Sequence, residues 1–492
     1  MNIMSMLVEE RPTTSDMESN TYYCTTLASG LVALRKKDIG MMKRVLPSVT
    51  AAILIGCDAE FIEVHSAVGS ALKRIIGGCI EENMIREAMQ ERSVGASTFS
   101  TALNLFIVTL EGVMQLRYQG TWLYVMDSMR SLFDSLNQEH ASLLLMDTVV
   151  KLAEIFQAVE GGRVEVMPGV QVAVADTMGS ALKSFGLVRF LSVVPLRLHT
   201  SPEYIGVDDE REWLLTLLHS NLKLMHCDVS EFGQTILTAA RSCSSAIKAS
   251  LQGGVGAPRL TDQQREKMRK RVLQLWSLFP ASCYIGPRDI PQSFPKLAPI
   301  LAGAMKDNTY PELLGHIIIG LANIAKGART RCPVSLSLPP SPGSTPSHVD
   351  SSEVQTLQSH ASTFLPLLLS SLETLDIGDI RFQNGVVAIA AWAAIAPKSL
   401  VTNVAKKLLQ MLLASTGEVQ DPETNARAAG WMSVVLSIVP YLQPQMILLL
   451  YKTIRPLLSV GESLSLQKRA YLVLDSLLQT HGDLLHDSEP RY

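Results

Sequence analysis

The stretch from Thr261 to Asp307 reads TDQQREKMRKRVLQLWSLFPASCYIGPRDIPQSFPKLAPILAGAMKD, and few folds accommodate it. Thr261 and Gln264 have the spacing of a capping box, in which each side chain satisfies a free backbone N–H at a helix start. Val272, Leu275, Trp276 and Phe279 follow at i, i+3, i+4 and i+7, one apolar stripe of a helix. Pro280 is expected to stop that helix, and Gly286, Pro287 and Pro291 to keep the next dozen or so residues irregular. After Ser293, Phe294, Leu297, Ala298, Leu301 and Met305 mark a second amphipathic helix. The pattern is helix, ordered loop, helix, with an apolar face that only a neighbouring element can cover.

The same grammar runs along most of the chain. Three helices are expected between Thr21 and Ile80, with breaks near Lys37–Asp38 and Cys57–Asp58, and others over Thr98–Arg117, Trp122–Leu136 and Ala141–Val159. Valines alternate around Val170–Val174 as in a strand, but Met178, Leu182 and Phe185 continue with helical spacing, so a helix from Val170 is favoured. Further helices are expected over Glu210–Leu224, Val229–Leu251 and Pro311–Ala328. Later, Pro366 in FLPLLLSSL and Pro456 in IRPLLSV stand 90 residues apart, two units of about 45, with AKKLLQMLL between them. Units of that length, each a helical pair, point to an all-α fold, a HEAT/armadillo-like α-solenoid of stacked antiparallel helix pairs. Composition agrees: hydrophobic residues are 47% and aromatics only 6%, a core of Leu, Ile, Val, Ala and Met rather than a β-sandwich.

Charge and cysteine usage exclude several functions. A net charge of −3 gives no global attraction for nucleic acid or anionic membrane, so any RNA contact must come from local patches. The seven cysteines are scattered with no C-x-x-C, as in a reducing compartment. Between Arg427 and Lys452 there are 24 uncharged residues, but Pro440, Gln443, Pro444 and Gln445 interrupt them. Two buried helices meeting at YLQPQ explain that stretch better than a membrane span. His219, His226 and Cys227 lie two turns apart without a carboxylate and make a poor metal site. Gly253, Gly254 and Gly256 lack the Lys-Ser/Thr of a phosphate loop. No catalytic constellation can be assembled, so neither an enzyme, a cofactor nor a small-molecule substrate is expected.

Two basic patches remain. Lys267, Lys270 and Arg271, joined by Arg269, fall at helical spacing on the face expected opposite Val272, Leu275 and Trp276. Lys326, Arg329 and Arg331 end a later helix, where the dipole itself favours cations. Either patch is suited to RNA phosphates, and either also reads as a solvated helix face.

Particular motifs go beyond periodicity. LQLWSLFPASC with SFPKLAPILAGAMKD, preceded by GLVRFLSVVPLRL and REWLLTLLHSNL, resembles the ribosomal RNA-processing protein 12 family of HEAT-repeat nucleolar proteins. AAWAAIAPKSLVTNVAKKLLQMLL, IVPYLQPQMILLLYKTIRPLL and SLQKRAYLVLDSLL follow in the family's order, so the resemblance spans most of Gly186–Gln479. It implies a non-enzymatic factor for small-subunit maturation, rRNA processing and nuclear export. Such a factor is nucleolar and nuclear, shuttles to the cytoplasm, and binds pre-ribosomal particles and ribosomal RNA. It also implies contacts with a Ran-type GTPase and nucleoporins. An importin/karyopherin-like transport receptor or adaptor is the alternative. The family's further repeats and basic tail are missing after Tyr492, so a C-terminal truncation is expected.

The expected organisation is a flexible tail over 1–20, HEAT-like repeats with the family's nucleolar domain over 21–331, and a disordered Pro/Ser-rich linker over 332–352. Further HEAT-like repeats over 353–482 and a tail over 483–492 complete it. Val473, Leu474, Leu477 and Leu478 are expected to lack a covering repeat.

Overall fold

A computed structural model describes residues 3–95, 98–198, 211–252, 260–307, 309–331, 352–415, 422–458 and 464–486. These contain helices and turns and no strand. The chain divides into two compact units, Met1–Asn221 and Leu222–Tyr492. The Pro/Ser-rich stretch 332–351, the glycines at 253, 254 and 256 and residues 487–492 lie outside the described residues.

The first unit holds α1 (Ile3–Glu9), α2 (Met17–Lys37), α3 (Ile39–Leu54), α4 (Ile62–Cys79), α5 (Glu82–Ser93) and α6 (Ala102–Glu111). It continues with α7 (Trp122–Asp134), α8 (Gln138–Leu144), α9 (Met146–Glu160), α10 (Val170–Phe185), α11 (Leu187–Val193) and α12 (Glu212–Leu222). The helix expected from Val170 is α10. One layer stacks α2, α4, α7 and α10 in succession, while α3 packs on α6 and α9 on α10. Leu31, Leu72, Met126 and Met178 are fully buried in this stack. Its close spacing has a local cause: a Cβ on Gly69 of α4 would lie 2.6 Å from the Tyr124 carbonyl of α7. Small hydroxyls tie the stacked helices together, Ser128 donating to the Gly69 carbonyl at 2.8 Å and Ser184 to that of Phe133 at 2.7 Å.

The N-terminus corrects the sequence reading. Residues 3–9, within the stretch expected to be a loose tail, form α1, and Met4 is buried with its sulfur over Gly30. Asp16 caps α2 by accepting from the Ser19 N–H at 3.0 Å, so α2 begins before Thr21.

The second unit holds α13 (Val229–Phe232), α14 (Thr238–Gln252), α15 (Asp262–Ser282), α16 (Ile290–Lys306), α17 (Leu313–Arg331) and α18 (Ser352–Glu373). Then come α19 (Ile380–Ala393), α20 (Lys398–Ser415), α21 (Pro422–Ile438), α22 (Pro444–Ile454) and α23 (Leu464–His486). A π-helical segment, Gly233–Leu237, joins α13 to α14. One layer stacks α15, α17, α19, α21 and α23, and the other runs through α16, α18, α20 and α22. The repeat is visible in the boundaries: α18, α20 and α22 begin at Ser352, Lys398 and Pro444, evenly 46 residues apart. This is the all-α, HEAT/armadillo-like solenoid architecture, in which each helix pair covers its neighbour's apolar face.

Prolines are absorbed rather than terminating. Pro280 lies inside α15, which runs two residues further to Ser282, contrary to the expected stop. It falls in the last turn, where only one intrahelical bond is lost. The Pro280 carbonyl is engaged from α17 by the Asn323 side-chain amide at 3.0 Å. Likewise α16 starts at Ile290 rather than after Ser293, with Pro291 in its first turn and Pro295 and Pro299 inside.

The uncharged stretch before Lys452 forms α21, a 3-10 turn at Val439–Tyr441, and α22. Among the described residues, Ile39–Asp58 alone has the length and apolarity to cross a membrane, and half of it is buried within the fold. On α23 the expected bare face is bare only in part: Leu478 is exposed as expected, but Val473 and Leu477 are fully buried, and Leu464, Tyr471 and Leu472 are exposed instead. Register against α21 and α22 decides this, which a helical repeat alone does not specify.

Candidate nucleic-acid interface

The capping box that opens α15 is present, with Gln264 N–H donating to Thr261 Oγ1 at 3.2 Å and Thr261 N–H donating to Gln264 Oε1 at 3.0 Å. Met268, Val272, Leu275, Trp276 and Phe279 are all buried. Trp276 meets Phe232 and Phe279 edge-on, with ring centroids 6.5 and 6.2 Å apart. A Cβ on Gly320 of α17 would lie 2.2 Å from the Phe279 ring, so glycine is what lets α17 close on α15.

The basic residues do not form the patch expected. Arg271 is only 1% exposed, so it faces the core and not solvent. Its spacing from Lys267 placed it on an outer face, but the neighbouring elements cover more of α15 than its apolar stripe. Arg269 lies over the Tyr310 ring at 5.6 Å and pairs with Glu312 at 3.7 Å. Lys270 is exposed and Lys267 half-buried. On α17, Lys326 is exposed, while Arg329 donates to the Tyr441 hydroxyl at 3.2 Å.

Arg331 is a structural residue. Its guanidinium donates to the Gly286 carbonyl at 2.9 Å and the Pro287 carbonyl at 2.6 Å, and pairs with Glu353 at 2.8 Å. Its charge is neutralised there, so it is removed from the phosphate-binding set. Gly286 has φ +87°, and a Cβ there would meet Arg331 Nη1 at 2.4 Å and Gly327 Cα at 2.9 Å. Only glycine combines that left-handed backbone with so close an approach.

The loop between α15 and α16 is thereby explained. Its far end, Asp289, reinforces the start of α13, whose own N-cap is Asp228: the Val229 N–H donates to Oδ1 at 2.7 Å and the Ser230 N–H to Oδ2 at 2.9 Å. Asp228 in turn accepts from the Arg288 N–H at 3.2 Å, and Arg288 approaches His226 Nε2 at 2.9 Å. Burial alone would raise the Asp289 pKa, but donors from Ser293, Ser230 and Val229 outweigh it and hold the carboxyl below its ordinary value. Burial pushes Glu231 up and His226 down, the latter helped by Arg288 and Arg331. Burial also pushes the Cys283 thiol up to about 12, so it is no nucleophile. No group of three or more His, Cys, Asp or Glu residues able to hold a metal is found among the described residues.

The family model for ribosomal RNA-processing protein 12, HEAT repeats, matches residues 59–372, more than half of the chain. The chain belongs to the ribosomal RNA-processing protein 12 family. The match starts well upstream of the motifs from Gly186 and stops before those after Ala390. Membership implies a role in rRNA processing, a HEAT-repeat scaffold of a generally non-catalytic kind, and a nuclear or nucleolar location. It also suggests association with pre-ribosomes.

No curated protein matches the sequence. Among solved structures the chain is similar to the karyopherin Kap121p, at 13% identity over 98% of this chain and 43% of that one, with a TM-score of 0.50. A chain of the Kap95p–RanGDP structure is 12% identical over 99% of this chain and 53% of its own length, with a TM-score of 0.42. An engineered protein is 14% identical over 97% of this chain and 99% of its own, with a TM-score of 0.31. The chain thus spans about half the length of the two karyopherin-related chains, and the likeness to Kap121p concerns the fold alone.

Proposed function

We propose that this chain is a non-enzymatic scaffold in ribosome biogenesis, binding pre-ribosomal particles and RNA during small-subunit maturation, rRNA processing and nuclear export. The observation that supports it is the family match across residues 59–372, which takes in α15, α16 and α17 with their intervening loops. Within it, Lys267 and Lys270 on α15 and Lys326 and Arg329 on the adjacent α17 are the proposed phosphate contacts. Cations on neighbouring helices of one layer suit a ribose-phosphate backbone, because each neutralised phosphate releases counterions.

Sedimentation of nuclear extract containing the tagged chain tests the reading, with co-migration with small-subunit precursor RNA as the expected result. Absence from those fractions overturns it. For the cations, Lys270→Glu with Lys326→Glu is expected to weaken single-stranded RNA binding and lower the log–log salt slope by about 0.7 per lost contact. An unchanged slope removes these lysines from the interface. The contacts with a Ran-type GTPase and nucleoporins implied by the family resemblance belong to the export step. Retention of GTP-locked but not GDP-bound Ran on the immobilised chain is the corresponding measurement.

A further inference from the structure

The second unit contains a crevice of about 180 Å³ between α14 and α16, floored by Val272 and Trp276 of α15 and Leu313 of α17. Leu237 and Ile300 form its walls, and Arg241, Lys248 and Asp307 stand at its edge. A cavity of about 150 Å³ lined by aliphatic and aromatic carbon holds a benzene-sized molecule. This crevice therefore has room for one apolar side chain.

The two helices that flank it carry cations only. Helices α14 and α16 carry Arg241, Lys248, Lys296 and Lys306 and not one carboxylate, in a chain whose net charge is −3. Arg241 and Lys248 are both exposed, Lys248 within electrostatic reach of Asp307. Asp307, the acid at the edge, accepts from the backbone N–H and hydroxyl of Thr309 and keeps its charge, which Lys248 helps to stabilise.

We propose that this crevice is a docking site for an acidic peptide segment of a partner protein, anchored by one Leu-sized side chain and flanked by Asp and Glu. The apolar floor takes the anchor, and Arg241 and Lys248 meet its acidic neighbours. RNA is the weaker fit. A nucleobase needs an open ring face to stack on, whereas Trp276 and Tyr310 are 6% and 8% exposed, packed against Phe232 and Phe279 and beneath Arg269 respectively. This goes beyond the proposed scaffold role by specifying a protein ligand and its chemistry.

The probe is a fluorescein-labelled peptide of Asp and Glu around one central Leu, titrated by anisotropy against the full chain. Replacing the peptide's Leu by Ala is expected to weaken binding about tenfold, and Ala304→Phe, which fills the crevice, to abolish it. Arg241→Glu with Lys248→Glu, a variant that leaves the apolar floor intact, is expected to weaken binding at least about tenfold. Unchanged circular dichroism shows that both variants keep the fold. Equal binding of the Leu and Ala peptides, or no binding at about 1 mM peptide, overturns the proposal. Loss of oligo-uridylate binding in Ala304→Phe assigns the crevice to RNA and overturns it as well. Co-sedimentation of the same variants with pre-ribosomal particles is read separately, so failure here leaves the scaffold reading standing.

Discussion

Asp289→Ala isolates what the loop between α15 and α16 does. The carboxylate accepts from two backbone amides, Val229 N–H at 2.7 Å and Ser230 N–H at 2.9 Å, in a partly buried setting. Hydrogen bonds to a charged group contribute about 1.5–3 kcal/mol each when buried, and loss of an N-cap costs about 0.5–2 kcal/mol. Water reaches this half-buried site, so the top of the cap range applies rather than the sum of two buried bonds, and the pair together should be worth about 2 kcal/mol. Because α13 is a single turn leading into a π-helical segment, the loss should stay local. Hydrogen exchange is the suitable assay, since a solenoid does not unfold as one two-state body. Protection of the Val229 and Ser230 amides should fall about thirtyfold, at 1.4 kcal/mol per factor of ten. The pH dependence supplies an independent check. A carboxyl whose folded pKa is depressed contributes stability that is complete above its unfolded value and is lost as pH falls through the folded one. The difference between wild type and variant should therefore be constant at neutral pH and shrink below about 3.8, the ordinary aspartate value. Less than a threefold change in protection, or a difference indifferent to acid, would refute the capping role.

Other consequences are quicker to state. Gly320→Ala places a methyl 2.2 Å from the Phe279 ring and should destabilise by about 1–3 kcal/mol, read as a lower midpoint in urea. Trp276→Ala should cost about 3–5 kcal/mol as a core truncation, and a loss below about 1 kcal/mol would mean that the indole contributes little packing. Cys283, with its thiol pKa raised to about 12, should resist iodoacetamide in the folded chain at pH 8 and react only on denaturation.

Helix content was legible in the sequence because each helix advertises itself locally. The spacing of Val272, Leu275, Trp276 and Phe279 states which face is buried, and the structure buries all four. What periodicity could not convey is how wide the buried face is. Arg271 stands beside Val272 and shares its burial because neighbouring elements cover more of α15 than its apolar stripe implies. Charge in a sequence marks a cation, not its exposure.

The loop from Cys283 to Asp289 shows the same limit from the other side. Its glycine, proline and aspartate signalled an irregular backbone, but their partners lie far away in sequence: Val229 and Ser230 about 60 residues upstream, Arg331 about 45 downstream. In a stack of helix pairs the loops stand side by side at the layer's edge, so a loop's hydrogen bonds are made to the repeats before and after it. The loop therefore ties successive pairs to one another. That assignment moves the search for partner contacts away from the family's most distinctive residues, to the exposed lysines of α15 and α17 and the crevice beside α14.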